Sequence, residues 1–225
     1  MKQNYFPKVD IRGRVRVCLE TVTSLNLRNK YIVDVGSSIG WLEKELLRFG
    51  PKKLLGIEPD AGAVAYSQKR VKGAKFMQGF ASRLPVPNDV ADVVVMFDIL
   101  EHVPKKEESV SLEEANRVLK KYGKLVLSTP NNNFWTIVLD LAWYFGHRHY
   151  NEKYLKNLLK KAGFKIDRFE IRGGIWFAIY LIWHYVMKWI FRRPLAVNEF
   201  MLDKDDKQFS EKKGIYTIFL IATKV

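Results

Sequence analysis

Short apolar runs alternate with helix-like segments along most of the chain, and this alternation limits the possible folds more than any other feature. The apolar runs are of strand length, several are β-branched, and they cover residues 31–35, 53–57, 74–78, 90–97, 124–128 and 164–171. Intervening segments such as residues 40–50 and 111–123 place apolar residues three or four apart and end in glycine, as helices do. This alternation predicts a parallel sheet covered by helices on both faces.

Length and composition fit a single globular domain. The chain has 225 residues, of which 48% are apolar and 28% charged, so it can bury a core and is too apolar for disorder. A last apolar run supplies a final strand, and a long aromatic segment is inserted before it. We predict one α/β domain that comprises an N-terminal arm and helix (1–30), a core (31–172), a helical insertion (173–213) and a final strand (214–225).

Basic charge is concentrated at the two ends of the chain. The net charge is +14, with +5 in residues 1–30, +2 in residues 31–133 and +7 in residues 134–225. This distribution is typical of a protein that faces an anionic partner, either phospholipid headgroups or nucleic acid, although a solvated lysine-rich surface is an equal alternative.

The single cysteine, Cys18, excludes an intramolecular disulfide and a cluster of thiolate metal ligands. A reducing, cytoplasmic location is therefore expected. The first 17 residues are basic but lack the apolar core of an export signal, so no such signal is predicted.

A loop with two glycines follows the first predicted strand, in the sequence V-D-V-G-S-S-I-G. Glycines let the backbone turn sharply and approach a ligand, while the first amides of the next helix point at it. The spacing differs from G-x-G-x-x-G, so a nicotinamide dinucleotide site is poorly supported. The second strand ends at Glu58, about 20 residues after the loop, where a carboxylate can accept both hydroxyls of a ribose.

Six motifs in this order resemble those of class I S-adenosylmethionine-dependent methyltransferases, specifically the small-molecule group that includes ubiquinone and menaquinone biosynthesis enzymes. Across roughly residues 28–172 they are V-D-V-G-S-S-I-G, G-I-E-P-D, G-F-A-S-R-L-P-V-P-N-D-V-A-D-V-V-V, D-I-L-E-H-V-P, G-K-L-V-L-S-T-P and H-Y-N-E-K-Y-L-K-N-L-L-K-K-A-G-F. The resemblance implies a Rossmann-like, doubly wound sheet of about seven strands, mostly parallel with an antiparallel last strand. It also implies S-adenosyl-L-methionine as the cofactor.

The same resemblance implies a role for individual residues in cofactor binding. Glu58 would bind the ribose hydroxyls, and Ala81 and Ser82 would flank the adenine. Asp98 and His102 would close the pocket near the sulfonium. The methionine part of the cofactor would be held by Asp34, Gly36, Ser38 and Gly40.

The chain departs from the family pattern at two positions. Ser38 stands where the middle glycine of the loop usually occurs, which is a mild change. Phe80 stands where an acidic residue usually reads the adenine amino group. A phenyl ring at this position could stack on the adenine instead.

Three histidines are candidate catalytic residues: His102, His147 and His149. A histidine near its reference pKa can act as the base for an acceptor hydroxyl at neutral pH, although His147 and His149 could equally serve only to hydrogen-bond their loop. No further histidine or cysteine lies near this pair in the sequence, so no metal site is predicted. Asn151 is expected to cap the helix that follows. Five acids are expected on the solvated surface: Glu107, Glu108, Asp203, Asp205 and Asp206.

The most apolar segment, from Gly174 to Phe191, would form about 27 Å of helix if it were helical throughout, nearly enough to span a membrane. A complete span would separate the final strand from its sheet, and a helix would align Tyr180, His184, Lys188 and Arg192 as a polar stripe beside a tryptophan-rich face. We therefore predict a helix that lies on the membrane surface or covers the ligand crevice, with residues 134–145 as its partner wall. Packing as extra core or as a homodimer contact is the alternative.

The features together predict methyl transfer to an apolar or lipid-like small-molecule acceptor at a membrane surface. One alternative is an RNA or protein methyltransferase that uses the basic ends. Nucleic acid is less expected because the sequence has no Asn-Pro-Pro-Tyr-type motif and no appended binding module. Another alternative is a methyltransferase-like protein that binds the cofactor or a partner without turnover.

Overall fold

A computed structural model describes residues 9–139, 147–189, 192 and 198–225. Within these residues one sheet contains the strands β1 (Tyr31–Val35), β2 (Lys53–Glu58), β3 (Lys75–Gln78), β4 (Ala91–Phe97), β5 (Leu119–Pro130), β6 (Phe164–Arg172) and β7 (Thr217–Lys224). The order across the sheet is β3–β2–β1–β4–β5–β7–β6. Strand β7 runs antiparallel to both of its neighbours, whereas the pairs among β1 to β5 are parallel. The predicted Rossmann-like sheet with an antiparallel last strand is confirmed.

The described helices are α1 (Gly13–Thr23), α2 (Trp41–Leu46), α3 (Ala61–Arg70), α4 (Glu108–Val118), α5 (Phe134–Leu139), α6 (Glu152–Lys161), α7 (Ile175–Trp189) and α8 (Glu199–Ser210). Alternate residues of the central strands bury their side chains on opposite faces of the sheet. Ile32 joins the apolar cluster that includes α1 and α2, whereas Val33 joins the cluster that includes α4 and α6. The winding direction reverses between β1 and β4, which is where ligands bind in doubly wound sheets.

One predicted helix is too long in the sequence-based assignment. The prediction covered residues 111–123, but α4 ends at Val118 and β5 begins at the next residue. Leu119 is fully buried and pairs with Ala91 of β4, so tertiary packing overrides the local helical pattern. The pairing shifts register before Lys124, and Tyr122 in this segment adopts a positive φ of 65°.

The inserted segment after β6 contains two helices. Phe177 of α7 packs edge-on against Phe209 of α8 and Tyr216, which joins the insertion to the sheet. Helix α5 is the described part of the predicted partner wall and contacts α7, whereas residues 140–145 of that wall lie outside the described residues. The same holds for the side chains of His184 and Lys188 in the predicted polar stripe. Among the helices the structure describes, none combines the length and apolarity needed to cross a membrane.

Helix α8 carries acids that pair with basic residues near the N-terminus. Arg12 forms ion pairs with Glu199 and Asp203, and Arg16 donates to Asp206 at 2.9 Å. Asp206 also accepts a hydrogen bond of 2.6 Å from the Gly13 amide. Arg12 and Arg16 are thus paired with acids of α8, at positions that remain partly exposed.

Asp205 was expected on the solvated surface, but only 5% of this residue is exposed, so that expectation was wrong. It lies against Gly13, which has a φ of 55°, a conformation that favours glycine. The absence of a Cβ at this position also leaves room for the Asp205 carboxylate. The acidic segment of α8 therefore packs against α1, and only Asp203 remains largely solvated, with 73% of its side chain exposed.

Candidate active site

A cavity of about 520 Å³ opens at the carboxyl ends of β1, β2 and β4. This size is usual for a small-molecule site. The loops after the three strands form most of its wall, and α1 closes it from above with Arg14, Val15 and Cys18. Eight of the predicted site residues line this cavity: Gly36, Ser38, Glu58, Phe80, Ala81, Ser82, Asp98 and His102.

The glycine loop is held close to its neighbours. Gly36 has a φ of 84°, a conformation that favours glycine, and a Cβ at this position would lie 1.9 Å from Ile99 Cδ1, so a larger residue would be strained and would displace Ile99. The Ser38 amide donates a hydrogen bond of 2.9 Å to Glu58 Oε2, which fixes the carboxylate at the end of β2. Ser38 itself has a φ of 47°, a conformation that the family's usual glycine adopts more easily.

Two of the predicted cofactor residues lie behind this loop instead of on the cavity wall. Asp34 is 4% exposed, and its burial raises the pKa of its carboxyl to about 7. The buried Glu43 lies beside it, and burial together with the charge of Asp34 raises the pKa of Glu43. Gly40 starts α2 with a φ of 79°, where a Cβ would press on the ring of Phe76. Both positions shape the loop from within.

Asp98 joins the cavity to α1. Its carboxylate forms an ion pair with Arg14 and accepts a hydrogen bond of 2.9 Å from Ser128 Oγ. The guanidinium of Arg14 also lies 5.8 Å from the ring centre of Phe177 in α7. Arg14 therefore links the cofactor wall to the inserted helices. No motif marks this arginine, so the sequence did not single it out.

The predicted adenine wall is open and carries a carboxylate from another segment. Phe80 is 60% exposed, which leaves its ring accessible for stacking. Ser82 Oγ donates a hydrogen bond of 2.7 Å to Glu107 Oε2, and Glu107 itself lines the cavity. Glu107 is therefore part of the site wall, although the sequence had placed it on the solvated surface.

The three candidate catalytic histidines lie close to one another, and a buried glutamate lies beside two of them, His102 and His147. The ring centres of His102 and His147 are 4.9 Å apart, and those of His147 and His149 are 5.9 Å apart. Glu101 is 2% exposed, and its Oε1 lies 3.9 Å from His147 Nε2. Burial raises the pKa of Glu101 to about 7. The D-I-L-E-H-V-P motif contains Glu101, but only the fold shows that it faces a distant histidine.

Glu108 holds the histidine segment in place. Its Oε1 accepts hydrogen bonds from Arg148 Nε at 2.7 Å and from the Tyr150 hydroxyl at 2.8 Å. Its Oε2 accepts one from the Tyr154 hydroxyl at 2.8 Å. Only 2% of Glu108 is exposed, so the expectation of a solvated residue was wrong. These bonds tie the segment before α6 to the start of α4, and the Asn151 cap confirms the predicted start of α6.

The cavity residues fit S-adenosyl-L-methionine. Gly36 leaves space for a ligand beside the loop, and Glu58 places a carboxylate at the end of β2. These features match a nucleoside cofactor. Glu58 would hold its ribose, and its adenine would lie beside Phe80. When bound, this cofactor supplies an electrophilic methyl group on its sulfonium. Sheet order, glycine loop and acidic strand end together define the class I S-adenosylmethionine-dependent methyltransferase fold.

Comparison with known families agrees with this class. Residues 11–168 match the family described as "Methyltransferase domain", and the chain belongs to that family. A "Probable S-adenosylmethionine-dependent methyltransferase" of Mycolicibacterium smegmatis is 29% identical over 60% of this chain and 52% of its own length. The chloroplastic 2-methyl-6-phytyl-1,4-hydroquinone methyltransferase of Spinacia oleracea is 32% identical over 68% of this chain and 44% of its own length. The chain thus spans about half the length of these curated relatives.

Solved structures share the fold at low sequence identity. Magnesium protoporphyrin IX methyltransferase from Synechocystis PCC 6803, solved with bound SAH, superposes with a TM-score of 0.62 at 18% identity, covering 93% of this chain and 81% of that one. A methyltransferase from Methanosarcina mazei superposes with a TM-score of 0.64 at 21% identity, covering 91% and 97% of the two chains.

Proposed function

We propose that the protein methylates an apolar or lipid-like small molecule while it rests on a membrane surface. The observation that carries the proposal is an apolar surface on three neighbouring helices. Its exposed side chains are Phe134, Trp135 and Val138 of α5, Ile175 of α7 and Phe200 of α8. We refer to these five residues as the aromatic surface.

Two of the helices that carry the aromatic surface leave the sheet at the same end as the cofactor cavity. Helix α5 follows β5 and α7 follows β6, so both leave the sheet at the end where the cavity opens. Helix α7 contacts both α5 and α8, and the rings of Trp176 and Phe200 meet edge to face at 5.8 Å. An acceptor that partitions into this apolar region would approach the cavity from the side that α7 borders.

Chemistry at the margin of this surface favours a lipid headgroup region. Lys204 Nζ lies 5.4 Å from the ring centre of Phe200, and Arg192 is exposed just after α7. Tryptophan and phenylalanine beside basic side chains are typical of helices that lie in the membrane interface. The spinach relative is named for a phytyl hydroquinone, an acceptor with a polar ring and a long apolar tail. An acceptor of this kind suits the proposed location.

Co-sedimentation with vesicles tests the membrane step. A double variant, Phe134→Ser with Trp135→Ser, removes two exposed rings without entering the core. Because burying each ring in lipid contributes about 1.5–3 kcal/mol, binding to vesicles with anionic lipid should fall by at least about tenfold. The matched control, Phe49→Ser with Tyr122→Ser, removes two exposed rings from the opposite end of the sheet, near the amino ends of β2 and β5, and should leave binding unchanged.

Methyl-transfer assays test the acceptor class. Hydroquinones with a long isoprenoid tail, presented in vesicles, should be methylated faster than the same rings without a tail. The double variant should lose this preference while its affinity for S-adenosylhomocysteine in solution stays the same. Equal vesicle binding by both double variants, together with equal rates on tailed and tail-free rings, would reject the proposal.

A further inference from the structure

We propose that Glu101, His102 and His147 form a site for one divalent transition-metal ion, such as Zn²⁺, at the mouth of the cofactor cavity. One possible ligand atom from each of the three residues lies within 4.8 Å of the other two. The site itself is inferred from this geometry. Its chemical role rests on the methyl-transfer function proposed above.

The distances are close to those of a bound ion. Zinc lies about 2.0–2.2 Å from nitrogen and oxygen ligands, so tetrahedral ligand atoms are about 3.4 Å apart. Glu101 Oε1 and His147 Nε2 are 3.9 Å apart, a difference that small side-chain rotations can close. Two imidazoles and one carboxylate are a ligand set used for Zn²⁺ and for non-haem iron.

Glu101 is the strongest indication of a ligand. The residue is 2% exposed, and its Oε1 has no hydrogen-bond partner among the residues that the structure describes. A buried carboxylate oxygen without a partner is costly unless a cation or donor reaches it. Its other oxygen, Oε2, accepts a hydrogen bond of 3.0 Å from Thr129 Oγ1. A carboxylate oriented through one oxygen, with the other directed at histidines, is the usual arrangement of a metal ligand and its supporting contact.

The segments that carry the two histidines are held in place independently. His102 donates its backbone amide to the Ile99 carbonyl at 3.0 Å, which closes the turn after β4. The segment of His147 is held through Arg148, whose Nε donates to Glu108. The three side chains are thus positioned by the fold on rigid supports, as a metal site requires.

A cation here would face the acceptor. His102 is exposed and lines the same cavity as Glu58 and Asp98, so the fourth coordination position can open toward bound substrate. An acceptor hydroxyl that coordinates the cation would have a lowered pKa and would release its proton to water. The expected acceptor is therefore a molecule that carries a hydroxyl group near its apolar part.

Titration calorimetry with Zn²⁺ alone, on the full chain after treatment with a chelator, tests the site. We expect one ion per chain, and we expect Zn²⁺ to raise the thermal midpoint. Glu101→Gln keeps the shape of the buried side chain but removes its charge, so it should abolish the Zn²⁺-induced shift while the apoprotein stays folded. His147→Ala should weaken binding at least about 100-fold, and Thr129→Val about tenfold or more because the carboxylate loses its supporting contact.

Control variants separate this site from adventitious binding. Glu113→Gln changes an exposed acid of α4, and His184→Ala changes a histidine that is not one of the three proposed ligands; both should bind Zn²⁺ as the unmodified protein does. Absence of a saturable site, or an affinity that neither Glu101→Gln nor His147→Ala changes, would overturn the inference. Titration of the chelator-treated protein with S-adenosylhomocysteine is a separate measurement, so failure of the metal site and failure of the cofactor function are distinguishable.

Discussion

Asp205 places a carboxylate among α1, α7 and α8, where 5% of the residue is exposed. Within the described part of the chain its Oδ1 has no hydrogen-bond partner. Burial raises the pKa of Asp205 to about 7, Asp206 adds to this rise, and Arg14 opposes it. Tyr180 of α7 faces the same group, and its own pKa is raised mainly by burial. The folded protein therefore binds a proton here that the unfolded chain releases near pH 4.

The sign of the pH dependence follows directly. Between about pH 4 and pH 7 the folded state holds more protons than the unfolded state, so the free energy of unfolding falls as the pH rises through this range. Asp205→Asn removes this dependence and should raise the free energy of unfolding by about 1–3 kcal/mol at pH 8, with less effect below pH 4. Urea denaturation at both pH values measures the difference. A gain that is the same at both would contradict the assignment to Asp205.

The acidic residues also show what the sequence could not indicate. Glu101, Glu108 and Asp205 look like ordinary polar positions because their surroundings come from segments far away in the chain. Tyr154 reaches Glu108 from 46 residues away, and Arg16 reaches Asp206 from 190 residues away. Burial of a charge depends on such partners, and no local pattern records them. The cavity-lining residues were easier to predict because they follow strands in sequence order.

Helices α1 and α8 form one unit above the cofactor cavity. Asp206 accepts hydrogen bonds from the Gly13 amide and from Arg16, so it joins the first turn of α1 to α8. The same first turn carries Arg14, which closes the cavity over Asp98. We therefore expect the contact between α1 and α8, which are distant in sequence, to affect how tightly the cavity is covered.

Asp206→Ala should loosen α1 without unfolding the sheet. Loss of two hydrogen bonds to a carboxylate, one of them from a guanidinium, should cost about 1–3 kcal/mol, speed hydrogen exchange of residues 13–23 and weaken S-adenosylhomocysteine binding. Hydrogen-exchange mass spectrometry and calorimetry report the two effects. Asp203→Ala, which removes an exposed acid of the same helix, is the control and should change exchange little. Faster exchange without weaker binding would show that α1 is not part of the cofactor enclosure.

The bounds of the strands were predicted more accurately than those of the helices. Strand β1 has the predicted bounds, and β2 and β4 differ by one residue, because buried parallel strands appear as continuous apolar runs between turns. The end of α4 was wrong because the residues from Leu119 alternate poorly and become a strand only by pairing with β4. Helix α8 was not predicted as a separate helix, since its buried face depends on contacts with α1.

The cofactor cavity lies where the strand order of the sheet reverses. Ligand binding should therefore stabilise the entire domain. The sheet joins β1, β2 and β4, which carry the cavity, to β5, β7 and β6, which carry the inserted helices. Occupation of the cavity therefore favours the folded state of all of these elements at once. A ligand at 100 times its Kd adds about 2.7 kcal/mol to the free energy of unfolding.

For a domain of this size, S-adenosylhomocysteine at 100 times its Kd should raise the thermal midpoint by about 5–10 °C in a single transition. Glu58→Ala removes the carboxylate proposed to hold the ribose, so affinity should fall about 100-fold and the shift at the same concentration should be at most about 2 °C. Glu113→Ala, an exposed change on α4, should keep the full shift. Calorimetric scans of the unmodified protein and the two variants measure these shifts. A full shift in Glu58→Ala would mean that the cofactor binds elsewhere. Two separated transitions would mean that the insertion folds independently of the sheet.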